Sequence, residues 1–189
     1  KKRIFYTLSR TLNIIPTIKS RTIKFHLSGM NNEELGVSKE IYYFFDGNEN
    51  DILEFKRQNL SLDDIKFQIN TVEDILQIVT EMKNYVSGEF AVKNSLDLTI
   101  KYNKSIELIA RRIRFWELEN VYFFINEIEN ELKKEREFLI GFLSKIIINA
   151  KNSVETEDLK NLINLKNSIR NNVNIKSVLF NFFDILQNS

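Results

Sequence analysis

Residues 104–150 read KSIELIARRIRFWELENVYFFINEIENELKKEREFLIGFLSKIIINA, and this stretch decides the class of fold in the C-terminal half of the chain. Its apolar residues recur three, four, seven or eight positions apart, which is the spacing of one face of an α-helix. The stretch contains no proline, and its only glycine is Gly141. The pattern predicts one very long helix or two helices in line, with a break near Glu119 and Asn120 or at Gly141.

Two more helices are predicted after this stretch, over residues 155–170 and 175–186, with Asn171 and Asn172 between them. The last helix is strongly apolar for a terminal element. Its apolar face indicates either core packing or a docking face for another subunit or for more of the chain. The candidate interaction residues are Leu179, Phe180, Phe183 and Leu186.

The N-terminal half shows a different pattern, in which apolar residues alternate with polar ones. Alternation predicts half-buried β-strands. We expect a strand over residues 21–27 and a hairpin of strands 40–45 and 52–56 that turns at Asp46 and Gly47. A second, short hairpin is expected over residues 90–102.

Helices are also predicted in this half. Residues 61–86 carry an unbroken apolar stripe that stops at Gly88, and residues 4–18 are compatible with another helix. In an alternative interpretation, residues 65–69 form a strand and the helix begins at Thr71.

These elements together predict an α+β protein. Residues 1–103 form a region of β-hairpins plus one helix, and residues 104–189 form an all-helical region built from long helices. Because no stretch rich in glycine or proline separates the two regions, we expect them to pack as one unit.

The composition excludes several classes of chemistry. The chain has 189 residues, 43% apolar and 28% charged, as in an ordinary globular protein. The absence of cysteine excludes disulfides, thiolate zinc sites and cysteine nucleophiles, and the single histidine, His26, excludes a site with several histidine ligands. Glycine-rich phosphate loops are absent, and no apolar run approaches the roughly 20 residues of a membrane-spanning helix.

The net charge of +1 hides two opposed blocks of charge. Residues 33–54 contain seven acids and one base, whereas residues 1–26 contain only bases. The two blocks either neutralise each other or leave the basic arm free to bind phosphate or an acidic partner. The basic residues of the arm are Lys1, Lys2, Arg3, Arg10, Lys19, Arg21 and Lys24.

A second basic cluster consists of Arg111, Arg112 and Arg114 and lies beside Trp116. Basic residues interleaved with aromatic ones can bind single-stranded nucleic acid through phosphate contacts and base stacking. The alternative is a solvated basic helix face with Trp116 in the core.

Glu54 and Lys56 form an E-x-K motif on the predicted strand that follows the Asp46-Gly47 turn. This order resembles the core of the PD-(D/E)xK nuclease superfamily. The resemblance implies that Glu54 and a second carboxylate would bind a divalent ion such as Mg²⁺, and that Lys56 would assist the attacking water. The second carboxylate would come from Glu40, Asp46 or Asp51, since the family's strand acid falls near Tyr42 or Tyr43.

Function is expected to lie in association rather than in catalysis. The long amphipathic helices predict a protein-interaction or assembly module that binds a protein partner or a second copy of itself and needs no cofactor or metal. A nucleic-acid-binding or Mg²⁺-dependent nuclease-like domain is the alternative. The chain starts with lysine, which suggests a piece of a larger protein, and we expect an intracellular, cytoplasmic location.

Overall fold

The computed structural model describes residues 29–62, 69, 71–89, 94–171 and 173–189. Within these ranges all regular secondary structure is helical, so the α+β prediction is wrong for this part of the chain. The structure has eight α-helices there, and a short 3₁₀ turn, Ile113–Phe115, lies between the fourth and the fifth. The helices are α1 (Lys39–Phe44), α2 (Glu49–Arg57), α3 (Val72–Ser87), α4 (Ser95–Arg112), α5 (Leu118–Leu132), α6 (Arg136–Ala150), α7 (Thr156–Ser168) and α8 (Ile175–Asn188).

The predicted hairpin of residues 40–56 is wrong, because α1 and α2 take the place of its two strands. The predicted turn itself is present, with Asp46 and Gly47 at φ values of 51° and 68°. Residues with left-handed backbone angles occur after the ends of helices as well as in hairpin turns. Here they follow the end of α1. The Ser38 hydroxyl then accepts a hydrogen bond from the Ile41 N–H in the first turn of α1, and the Asn48 side chain accepts one from the Asp51 N–H in the first turn of α2.

The second hairpin is also wrong over its described part, since residues 95–102 belong to α4. Leu96, Leu98, Ile100 and Tyr102 alternate because all four belong to a broad buried face of α4, which also includes Thr99, Asn103 and Ser105. A buried face wider than a single stripe takes in residues two positions apart as well as those three or four apart, while Asp97, Lys101 and Lys104 line the more exposed face of α4. Residues 90–93 lie outside the described residues, as do the predicted helix 4–18 and strand 21–27.

The single helix predicted over residues 61–86 is wrong at its start, because α3 begins at Val72 after the N-cap Thr71, as the alternative interpretation expects. Residues 65–68 of the strand in that alternative lie outside the described residues. Thr71 and Asp74 form a reciprocal capping box, in which the Asp74 N–H donates to Thr71 Oγ1 at 3.2 Å and the Thr71 N–H donates to Asp74 Oδ2 at 3.0 Å. Gly88 ends the helix at a φ of 77°, as the sequence predicts.

The long helical stretch of residues 104–150 is divided into three pieces instead of one or two. The first break, at residues 113–117, lies close to the one predicted near Glu119 and Asn120, whereas the second falls at residues 133–135 and α6 continues through Gly141. A straight helix of this length would extend roughly 70 Å, and its apolar face would remain in water. Because the chain folds back, α6 lies beside α4, and the apolar faces of the two helices are buried against each other. The two C-terminal helices, α7 and α8, form where the sequence predicts them.

The described helices enclose two hydrophobic cores that share α4. The smaller core contains side chains from α1, α2 and the preceding turn, together with Leu96 and Ile100 from the start of α4. The larger core is built from α3 to α8, and it includes Tyr102, Ile106 and Ile109 from the rest of α4. The predicted boundary between residues 103 and 104 therefore falls inside a helix that belongs to both cores.

In the described ranges, no helix combines the length and the apolar character that crossing a membrane requires.

Gly47 is expected to be essential for the α1–α2 turn. A Cβ atom there would lie 2.7 Å from the Tyr42 hydroxyl, and the φ of 68° disfavours any other residue. We predict that Gly47→Ala lowers the free energy of unfolding by about 1–3 kcal/mol. Gly141→Ala is the matched control, because a Cβ on the exposed face of α6 meets nothing within 4 Å.

Urea denaturation of both variants makes the comparison. Gly141→Ala should raise the free energy of unfolding by about 0.5–1 kcal/mol, because alanine replaces glycine within a helix. Equal stability of Gly47→Ala and the wild type would contradict the assigned turn.

Candidate functional site

The residues of the E-x-K motif do not converge in the structure. Glu54 and Lys56 lie on α2, where residues two positions apart point about 200° away from each other. The Glu54 carboxylate accepts hydrogen bonds from Arg57 and Gln58, both at 2.7 Å, and these bonds lower its pKa. The Lys56 ammonium donates to the backbone carbonyl of Leu35 at 2.6 Å.

The three candidates for the second carboxylate lie in different surroundings. Glu40 is exposed on α1, Asp46 lies in the α1–α2 turn, and Asp51 is buried in the first turn of α2. Over the described ranges, no group of three or more acidic or histidine side chains is placed to hold a metal ion. The nuclease alternative thus stays a prediction, and the two strands on which its site was placed are helices in the structure.

Asp46 instead takes part in a polar junction between α1, α4 and α6. Its carboxylate lies 2.5 Å from the Lys145 ammonium of α6, which also donates to Asn103 Oδ1 of α4 at 2.6 Å. The Asn103 amide in turn donates to the Phe44 carbonyl at the end of α1, again at 2.6 Å. One chain of polar contacts therefore holds the α1–α2 turn against the large bundle.

Asp51 makes a second polar contact with α4, deeper in the small core. It is only 8% exposed, and its carboxylate accepts hydrogen bonds from Thr99 at 3.2 Å and from the Asn48 amide at 2.9 Å. Burial raises the pKa of Asp51 above its ordinary value, although the Thr99 hydrogen bond and the positive charge of Lys145 oppose the shift.

Tyr102 adjoins the same junction from the core side. Its ring lies 5.4 Å from the Lys145 ammonium, and burial, followed by the negative charge of Asp46, raises the pKa of its hydroxyl. Lys145 bonds to Asp46 and to Asn103, the Asn103 amide bonds to the Phe44 carbonyl, and Asp51 bonds separately to Thr99 and Asn48. These contacts support a structural role for the polar junction. We infer that it holds α1 and α2 against α4 and α6.

The interaction residues predicted on α8 are mostly buried. Leu179, Phe183 and Leu186 belong to the large core, where Phe183 packs against Phe124 of α5 at 5.5 Å between ring centroids. Phe180 is only partly buried, and its ring lies 5.3 Å from that of Tyr122. The α8 face named from the sequence thus faces inward, with Phe180 at its edge.

An exposed apolar surface does exist at the turn between α4 and α5. Phe115 is 73% exposed, Leu118 is 61% exposed and Tyr122 is 51% exposed. Phe180 continues this surface onto α8, where the Lys176 ammonium lies 5.9 Å from its ring. We call Phe115, Leu118, Tyr122 and Phe180 the aromatic corner.

The three arginines predicted to bind nucleic acid border the aromatic corner. Arg111, Arg112 and Arg114 are all exposed, and Arg114 lies over the Phe115 ring at 5.0 Å. Trp116 turns inward, packs against Phe124 at 5.5 Å and accepts a hydrogen bond at its carbonyl from Gln187. The exposed aromatic neighbour of the arginines is therefore Phe115 rather than Trp116.

Sequence reasoning overlooked Phe115, Leu118 and Tyr122. A signal was available, because these residues fall outside the apolar series of Ile113, Trp116 and Phe124. The basic arm of residues 1–24, named above for nucleic-acid binding, and His26 lie outside the described residues.

An open depression is found between α7 and α8. It has no acidic, basic or histidine side chain among the residues that line it, which are Asn161, Asn164, Leu165, Ser168 and Ile185. The one hydroxyl of this lining, on Ser168, donates to the Leu165 carbonyl at 2.7 Å, and the lining holds no base that could activate it as a nucleophile.

No family model, no curated protein and no solved structure matches this chain.

Lys145 should contribute strongly to stability through the polar junction. Lys145→Met keeps the length of the side chain but leaves Asn103 Oδ1 without its donor and Asp46 without its cation. We predict a loss of about 1–3 kcal/mol in the free energy of unfolding. Lys160→Met, in an exposed pair with Glu157, should change it by less than about 0.5 kcal/mol. Similar losses in the two variants, measured by urea denaturation, would contradict this role.

Asp51 should make stability depend on pH in a defined direction. The pKa of Asp51 is raised in the folded protein, so the folded state holds the proton more tightly than the unfolded state does. The stabilisation that follows is fully present below the ordinary aspartate pKa, about 3.9, and is lost as pH rises through the pKa of the folded state. Asp51→Asn removes this dependence. The variant's stability relative to the wild type should therefore increase from acid to neutral pH.

Denaturation at a series of pH values measures this difference. Asp97→Asn, which removes an exposed carboxylate from α4, is the matched control and should lack the increase. A relative stability of Asp51→Asn that falls toward neutral pH would refute the assignment.

Proposed function

We propose that this chain is a protein-interaction module and that the aromatic corner is its docking surface. The observation that supports the proposal is the exposure of Phe115, Leu118 and Tyr122, three large apolar side chains, each more than half exposed and close in sequence. Apolar side chains grouped in this way on a protein surface are characteristic of binding sites.

The size of the exposed surface agrees with this function. At about 150–250 Å² for a large side chain, the exposed fractions leave roughly 350 Å² of apolar surface in water. This lies in the range of the largest patches on monomeric proteins, which are often functional. Other highly exposed apolar residues, namely Tyr43, Leu53, Val86 and Ile148, lie one each on α1, α2, α3 and α6.

The aromatic corner is also held in place by the core beneath it. Tyr122 packs against Phe180, while Trp116 is fixed between the Phe124 ring and the Gln187 amide. The exposed residues therefore stand on a framework of packed rings. A surface that is ordered before binding loses less conformational entropy when a partner binds.

Single-stranded nucleic acid is a second candidate partner. Arg111, Arg112 and Arg114 lie beside Phe115, the most exposed aromatic residue of the corner, so phosphate contacts could accompany base stacking. Glu117 and Glu119 weigh against this candidate, because they are exposed in the same part of the chain and repel phosphate. We therefore prefer a protein partner.

A capture experiment with matched variants tests this function. The wild-type chain, the double variant Phe115→Ser/Leu118→Ser and the control Tyr43→Ser/Leu53→Ser are immobilised and exposed to a cell extract. All four side chains are at least half exposed, so each substitution should change stability by less than about 0.5 kcal/mol. We expect the wild type and the control, but not the corner variant, to retain the same protein.

The retained protein is then purified and titrated against all three chains. A tenfold or greater loss of affinity that is confined to the corner variant, about 1.4 kcal/mol, would support the proposal. Equal binding by the corner variant would refute it. Binding of labelled single-stranded DNA or RNA that weakens with salt and depends on Phe115 would favour the second candidate.

A further inference from the structure

We infer that residues 29–62, which we call the strap, open and close as one piece over the first half of α4 while the bundle of α3 to α8 stays folded. Opening uncovers Leu96 and Ile100, which the closed strap keeps out of water. The inference does not rest on the proposed function, because the aromatic corner follows the other end of α4.

Contacts within the strap hold its parts together. The Lys56 ammonium of α2 donates to the Leu35 carbonyl, 21 positions earlier in the chain, at 2.6 Å. The rings of Phe45 and Phe55, on the two sides of the Asp46-Gly47 turn, lie 5.2 Å apart. Because these contacts join distant positions within the strap, its two helices should move together and not separately.

The strap is held to the bundle by a smaller set of contacts. Among the described residues, α4 is the helix against which α2 mainly packs, and the small core has six buried side chains against 27 in the large one. The polar junction and the bond between Asp51 and Thr99 add polar links. The free energy that keeps the strap closed should therefore be well below that which holds the bundle together.

The first half of α4 has local contacts that keep it helical when the strap opens. The Asn94 side chain accepts a hydrogen bond from the Asp97 N–H at 3.1 Å, and Lys101 pairs with the Asp97 carboxylate at 2.8 Å. Further along, Ile106 and Ile109 anchor the helix in the large core. Opening therefore removes a cover from α4 without unfolding it, and it exposes an apolar helix face that the closed strap conceals.

Native-state hydrogen exchange of the wild-type chain, followed by mass spectrometry, tests the inference. The amides of α1 and α2 should exchange about a hundredfold or more faster than the slowest amides of α6 and α8. The exchange of α1 and α2 should share one dependence on urea, and this dependence should be shallower than that of α6 and α8, because opening exposes less surface than complete unfolding.

Two outcomes of this measurement would overturn the inference. If α1 and α2 exchange at the rate of α6 and α8 and with the same dependence on urea, the strap and the bundle unfold together. If the exchange of α1 and α2 does not depend on urea at all, each helix fluctuates locally and no strap opens as one piece.

Matched variants separate opening of the strap from unfolding of the bundle. Ile128→Val removes one carbon from α5 in the large core and should speed the exchange of α6 and α8 about two- to tenfold. It should leave α1 and α2 unchanged, because the large core is intact in both the closed and the open state. Lys145→Met removes the α6 side of the polar junction and should speed the exchange of α1 and α2 about fivefold or more.

Lys160→Met is the control for Lys145→Met, because its exposed pair with Glu157 lies within α7, and it should change neither rate. Acceleration of α1 and α2 by Ile128→Val to the same extent as α6 and α8 would refute the separate opening. So would an unchanged exchange of α1 and α2 in Lys145→Met.

A thiol probe establishes whether α4 itself is uncovered. The chain contains no cysteine, so Ile100→Cys introduces a single thiol under the strap, and Ile106→Cys places the same substitution in the large core, on the same helix. A thiol-specific reagent should label Ile100→Cys about a hundredfold or more faster than Ile106→Cys. Equal labelling rates would overturn the inference even if α1 and α2 exchange rapidly, because the two helices would then fray without leaving α4.

Discussion

The broad buried face of α4 is the constraint on which the rest of the structure depends. Leu96 and Ile100 of this helix complete the small core, and its later residues enter the large one. A helix in this position needs neighbours around it, and α2, α3 and α6 supply them. The polar groups it carries inward must also be paired, and so Thr99 and Asn103 bond to Asp51, Phe44 and Lys145.

The candidate interaction surface is a consequence of how α4 ends. After Arg112 the chain must leave the core, and the short turn of residues 113–115 places Ile113 inward and Phe115 outward. Trp116 then returns to the core, while α5 begins with an exposed leucine, Leu118. The polar junction fastens the N-terminal helices at one side of α4, and the aromatic corner forms at its end.

Sequence signals were accurate for turns and helix ends, which depend on residues only a few positions apart. The stop at Gly88 and the Asp46-Gly47 turn occur at their expected positions. The candidate sites were harder to predict, because they depend on which residues meet. Nothing in the sequence links Asp46 to Lys145 or Asp51 to Thr99, which are far apart along the chain. The burial of Leu179 and Phe183 likewise depends on neighbours that the helix pattern does not identify.

By itself, the sequence determined the helices α7 and α8, the end of α3 and the absence of cysteine chemistry. Only the tertiary structure decided whether residues 40–56 and 95–102 become strands or helices, and where the long stretch of residues 104–150 folds back. It also decided that Phe115 faces outward and Phe183 inward. The physical reason is that capping and turn formation involve residues only a few positions apart, whereas burial is set by whatever packs alongside. An alternating apolar pattern predicts a strand, but a helix with a buried face as broad as that of α4 can carry the same pattern.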